Sequence, residues 1–155
     1  MAAIHRSVKG EEKMAGWIET FRGVIYPWHC DHMGHMNVMY YINFFDQAAC
    51  HLLSACGYKW TEMGDDQMGF ADVKHTVEYK GEQKVGSPII IESCVTKRGR
   101  TSLTFRHRMK NAETGELAAT QEVVTIYFDL AGRKPVPLRE DTLDLIDSLL
   151  IENPD

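Results

Sequence analysis

Residues 38–56, VMYYINFFDQAACHLLSAC, limit what this chain can fold into more than any other stretch. The run is too long for a strand and is apolar around most of its circumference. Asn37 before it suits an N-cap and Gly57 after it suits a C′ residue, so it reads as one long helix. A helix this apolar is expected to be buried. Its polar positions, Asn43, Asp46, Gln47 and Ser54, mark a narrow stripe at three- and four-residue spacing. One such helix needs a sheet that wraps it.

The rest of the chain supplies strands. Residues 16–26 are β-branched and aromatic and lead to Pro27, which ends a strand or holds it at an edge. Residues 58–69 read as a loop. Val73, His75, Val77 and Tyr79 then alternate with Lys74, Thr76, Glu78 and Lys80, the period of a strand. Further strands are read over 89–97, 102–110 and 117–128. Short connections at 81–88, 98–101 and 111–116 predict antiparallel hairpins between the last four strands. Acids open the stretch 140–152, and Leu143, Ile146, Leu149 and Leu150 share one face, so it reads as a short amphipathic helix. The expected fold class is α+β, a curved antiparallel sheet around one long central helix. Its open edge predicts self-association.

Composition narrows the function. The 155 residues suit one domain, taken as 15–155 after a polar tail at 1–14 that is expected to be loosely ordered. A net charge of −5 argues against nucleic acid as a partner, though it leaves room for a local basic pocket. Cys30, Cys50, Cys56 and Cys94 form no CxxC pair and are expected as free thiols. With no secretory signal and no bilayer-length apolar run, the expectation is a cytoplasmic protein without a membrane partner.

HCDHMGHMN, residues 29–37, carries the densest chemistry. His29, Cys30, Asp31, His32 and His35 all hold ligand atoms. Zinc sites, however, draw paired ligands from two segments, and no second pair exists, nor an HEXXH helix. No metal is expected, and His51, His75 and His107 read as packing or surface residues.

The wider stretch YPWHCDHMGHMNVMYYINFFDQA resembles the signature of the 4-hydroxybenzoyl-CoA thioesterase-like acyl-CoA thioesterases. In that family an Asp, two spacers, Gly-His, a hydrophobic residue and Asn precede a central helix with tyrosine in its first turn. Here those places are Asp31, Gly34, His35, Met36, Asn37 and Tyr40 or Tyr41. KRGRTSLTFRHRM is similar to the family's central hairpin, and VVTIYFDLAGRKPVPL to its last strand and exit. The resemblance spans roughly residues 16 to 140. It implies the hotdog fold, hydrolysis of an acyl-CoA without a cofactor, and a homodimer or homotetramer with its site between subunits. One departure is His29, where many members carry an acid. Asp46 stands where many relatives carry an acid on the helix.

A thioester carbonyl needs a base or nucleophile, an oxyanion donor and a slot for the acyl group. Asp31 can direct water or attack directly to give a mixed anhydride. Free amides of the first helical turn, aided by the helix dipole, can hold the oxyanion, and the resemblance favours Val38. His35 and Asn37 join Asp31 and Val38 as candidate catalytic residues; the blander role for Asp31 is a loop cap, for Asn37 an N-cap, and for His35 a hydrogen bond that shapes the loop. Tyr41 and Asp46 are candidate substrate contacts, with core packing and ion pairing as their alternatives. Arg98, Arg100, Thr101 and Ser102 can grip coenzyme A phosphates or form a solvated hairpin tip. Two other functions stay open: a non-catalytic acyl-thioester binder, and a hotdog hydratase or dehydratase.

Overall fold

The computed structural model describes residues 16–154. The tail expected at 1–14 lies outside them. In chain order the elements are β1 (Ile18–Val24), α1 (Val38–Ala55), α2 (Trp60–Asp65), β2 (Met68–Tyr79), β3 (Pro88–Arg98), β4 (Ser102–Asn111), β5 (Leu117–Asp129), β6 (Lys134–Pro135) and α3 (Leu143–Ser148). One antiparallel sheet runs in the order β1-β3-β4-β5-β2, with β6 added beside β5. It curls around α1, which is the hotdog arrangement.

The central helix starts where the sequence predicts. Asn37 Oδ1 accepts from Met39 N–H at 3.0 Å, and Gly57 takes φ of 95° just past the last turn. α1 buries Tyr41, Phe44, Phe45, Ala48, Leu52 and Leu53 against the sheet. Sealing the Phe45 ring from water contributes about 2 kcal/mol. The expectation of burial on most sides does not hold. Only one face meets the sheet; Val38, Met39, Asn43, Asp46, Gln47 and His51 face outward.

Two other expectations are corrected. The segment 81–88 is not a hairpin, because β2 pairs with β5 and not with β3. Both sides of β3 are already filled, by β1 and by β4, so β2 goes to the far edge. The connector crosses the end of the sheet, held by Gly81 N–H to Ala118 O at 3.0 Å and Asn111 Nδ2 to Gln83 Oε1 at 3.2 Å. The loop expected at 58–69 contains α2, a six-residue helix formed where Met63 is buried in the core. So short a helix owes its existence to that packing rather than to an apolar period. At the C-terminus α3 is short, and Leu149 and Leu150 follow it while still facing inward with Ile146.

A buried polar chain crosses the sheet. His107 Nδ1 lies 2.5 Å from Ser93 Oγ, which lies 2.6 Å from Thr20 Oγ1. Phe45 stacks on the His107 ring at 5.7 Å, and His107 Nε2 has no partner among the described residues.

Candidate active site

The stretch between β1 and α1 closes on itself. Residues 27–29 make a single 3-10 turn, and Cys30 pairs with Met36 as an isolated antiparallel bridge. Between them the chain turns tightly. Asp31 N–H donates to His35 O at 2.9 Å and Gly34 N–H donates to Asp31 O at 3.0 Å. Gly34 has φ of 82°, which a side chain would oppose. Asn37 N–H donates to His29 O at 2.8 Å, so the start and end of the motif are joined where α1 begins. Met36 N–H donates to Gln83 O at 2.7 Å and ties the loop to the connector.

Asp31 is half-buried at the head of this turn. Its Oδ1 accepts from Met33 N–H at 2.9 Å, the bond of a capping aspartate. Its Oδ2 has no hydrogen bond among the described residues, so half of the carboxylate is uncommitted. Val38 is 59% exposed, and its N–H, in the first turn of α1, has no intrahelical acceptor. Both groups therefore belong to one closed loop that opens to solvent.

The histidines divide by role. His29 accepts from Tyr26 N–H at its Nδ1, and its ring lies edge-on to Tyr40 and Phe44. Burial pushes its pKa down, so it packs as a neutral ring. His32 is exposed. His35 Nε2 stands 3.0 Å from Glu82 Oε2 on the connector. Among the described residues no three His, Cys, Asp or Glu side chains gather as a metal set.

Tyr41 is buried; its hydroxyl donates to Gly81 O at 3.2 Å and its ring meets Tyr79 edge-on. Burial raises its pKa. It fastens α1 to the connector. Arg98 forms a bidentate pair with Asp147, at 2.6 and 3.0 Å. Arg100 is exposed, Thr101 O accepts from Tyr127 N–H, and Ser102 opens β4. This hairpin lies at the opposite end of β3 from the Asp31 loop. An eleven-residue strand spans about 35 Å, so one protomer does not bring the two groups together.

A cavity of about 320 Å³ opens between the outer face of α1 and the sheet. Met39, Asn43 and Asp46 line it from α1, Asp72 and His75 from β2, and Gln121 from β5. His75 Nε2 lies 2.8 Å from Asp72 Oδ2, and Gln121 Nε2 lies 3.3 Å from His75 Nδ1. Residues three apart on a regular strand face opposite sides. Here the pairing with β5 slips between Asp72 and Lys74, and this bulge at Val73 puts Asp72 and His75 together. The period-2 reading of β2 carries no signal for that pair.

No described helix is long and apolar enough to cross a membrane. A family model for the thioesterase-like superfamily matches residues 25–146. Among curated proteins none matches by sequence. Solved structures match by fold. A 1,4-dihydroxy-2-naphthoyl-CoA thioesterase from Synechocystis superposes with a TM-score of 0.77 at 16% identity, covering 86% of this chain and 98% of its own. A hypothetical protein of Staphylococcus aureus in complex with CoA gives 0.81 at 16% identity, with 90% and 87% covered. A mutant 4-hydroxybenzoyl-CoA thioesterase complexed with 4-hydroxybenzoyl-CoA gives 0.76 at 17% identity, with 85% and 99% covered.

Proposed function

The chain belongs to the thioesterase-like superfamily and is a thioester hydrolase; we propose that it cleaves acyl-CoA to a carboxylic acid and free CoA through Asp31. The observation that carries this reading is the half-free Asp31 carboxylate on the closed loop that ends in the open amide of Val38. The CoA and acyl-CoA complexes of the two fold neighbours support the choice of thioester.

In the water-directed route, Asp31 Oδ2 takes a proton from water as its oxygen bonds to the thioester carbon. The carbonyl oxygen becomes an oxyanion, held by Val38 N–H and the positive end of the α1 dipole. Collapse breaks the C–S bond, and the departing thiolate takes the proton from Asp31. In the direct route Asp31 bonds to the carbon, thiolate leaves, and water then hydrolyses the anhydride. A single turnover in ¹⁸O-water tests the direct route, since label enters Asp31 only when water attacks the Asp31 carbon of an anhydride.

The working unit on this reading is a homo-oligomer with its site between subunits. β2 supports it: its outer edge is unpaired among the described residues, and Val73 on it is 57% exposed. The exposed face of α1 supports it as well. A phosphate-binding role for Arg98, Arg100, Thr101 and Ser102 needs such a neighbour, given their distance from Asp31. No cofactor takes part.

The test is free thiol release from short, branched, aromatic and long acyl-CoAs and from acyl carrier protein thioesters. Thiol release from at least one is expected. Tight binding of every acyl-CoA with no thiol released would instead make this an acyl-thioester binder.

A further inference from the structure

The Asp31 loop holds its own shape, but its place on the sheet is set from outside it. Met36 is buried in the core near the end of the loop, and its N–H donates to Gln83 O at 2.7 Å. Whatever fixes Gln83 therefore fixes the step from Asp31 to the Val38 amide. The connector is pinned at both ends: Gly81 N–H donates to Ala118 O at 3.0 Å, and Gly86 N–H donates to Ile25 O at 2.7 Å. Among the described residues 81–88, Gln83 is the one fully buried side chain, 3% exposed.

A buried glutamine is a costly filler unless its amide is paired. Gln83 Nε2 donates to Glu82 O at 3.0 Å, and Gln83 Oε1 accepts from Asn111 Nδ2 at 3.2 Å. Asn111 ends β4. Its Oδ1 accepts from Glu113 N–H at 2.9 Å and from Thr114 N–H at 3.1 Å, which closes the β4–β5 turn. The carbonyl end of this amide is spent on the turn, so its NH₂ end faces Gln83. One side chain thus joins the turn to the connector, and the connector carries the loop. Turn formation accounts for Asn111 Oδ1, and packing accounts for a side chain of this size at position 83. Neither accounts for the donor and the acceptor that meet between them.

We propose that Asn111 and Gln83 are positioning residues for hydrolysis: their bond sets the Gln83 carbonyl, and through Met36 N–H it sets where Asp31 and the Val38 amide stand against the thioester. They act through the loop and do not touch the reacting atoms. This inference rests on the Asp31 reading of the reaction.

Asn111→Asp keeps the size and the Oδ1 acceptor of the turn but sets an oxygen against Gln83 Oε1. Gln83→Met keeps the buried volume and removes the acceptor. Both variants and their double are made in the full-length protein and assayed well below their Tm, with the acyl-CoA that the wild type hydrolyses fastest. Each single variant is expected to lower kcat about tenfold with KM within about twofold, because a misplaced loop loses rate rather than binding. The double variant should lose no more than the worse single one, since both act through one bond. Amide hydrogen exchange at Met36 should quicken about tenfold in all three, the effect of losing one hydrogen bond. Wild-type kcat in the folded variants, losses that multiply in the double, or unchanged exchange at Met36 would each overturn the positioning role. Exchange needs no turnover. A fully active Asp31→Asn protein whose Met36 exchange still responds to Asn111→Asp therefore counts against Asp31 and not against the tie from Asn111 to the loop.

Discussion

Asn37 holds its Oδ1 3.0 Å from the Met39 amide, and that bond leaves the adjacent Val38 N–H as the open donor at the head of α1. The cap and the proposed oxyanion site are therefore neighbours with separate duties. Asn37→Ala is expected to cost about 1 kcal/mol of stability by denaturant titration. Asn37→Asp keeps the cap and the stability but sets a negative charge beside the forming oxyanion. Its kcat should fall at least tenfold with Tm unchanged.

Gly34 tests the loop backbone alone. Its φ is 82°, and nothing crowds a Cβ added there. Gly34→Ala should cost about 1 kcal/mol through backbone strain. Because the strain falls on the turn that carries Asp31, kcat should drop more than KM changes, as steady-state kinetics will read.

The two roles open for His35 give different numbers. Its Nε2 contact with Glu82 ties the loop to the connector at 3.0 Å. If its task is positioning, His35→Gln and Glu82→Gln lower kcat by a similar and modest factor, below about tenfold, and the double variant does no worse. We expect that pattern. A loss in His35→Gln as deep as in Asp31→Asn, with Glu82→Gln near wild type, would assign His35 to the chemistry.

His107 makes the fold sensitive to acid. Full burial, with a smaller contribution from nearby His75, pushes its pKa down from 6.5 to about 3. The unfolded chain takes up this proton below pH 6.5, and the folded chain does so only near 3. Over that window the unfolded state binds more protons, so stability falls as pH falls, by up to about 1.4 kcal/mol per pH unit from this group. In urea titrations at pH 7 and 4.5, His107→Asn should show a smaller drop than the wild type. An equal drop would trace the acid sensitivity to other groups.

Much of this was readable in the residues. The helix with Asn37 before it and Gly57 after it announced its own ends, because caps are local chemistry. The strands showed their period, and the signature at 29–37 pointed to the loop that the structure closes around Asp31. What escaped was tertiary. The partner of β2 was hidden because β1 competes for the edge of β3, a long-range pairing in which Thr20 Oγ1 also donates to Ile91 O, 71 residues away. The outward face of α1 was hidden because an apolar helix reads the same whether core or another surface covers it. The Asp72–His75 pair was invisible because a bulge reverses the face on which a strand residue lies.

Asp31→Asn carries the central claim. It keeps the size of the side chain and the Oδ1 acceptor for Met33 N–H, so Tm should match the wild type. Its amide can neither take a proton from water nor attack the carbon. With the best acyl-CoA of the panel, free thiol release should fall at least about a hundredfold. A folded Asp31→Asn protein that releases thiol at the wild-type rate would contradict the account.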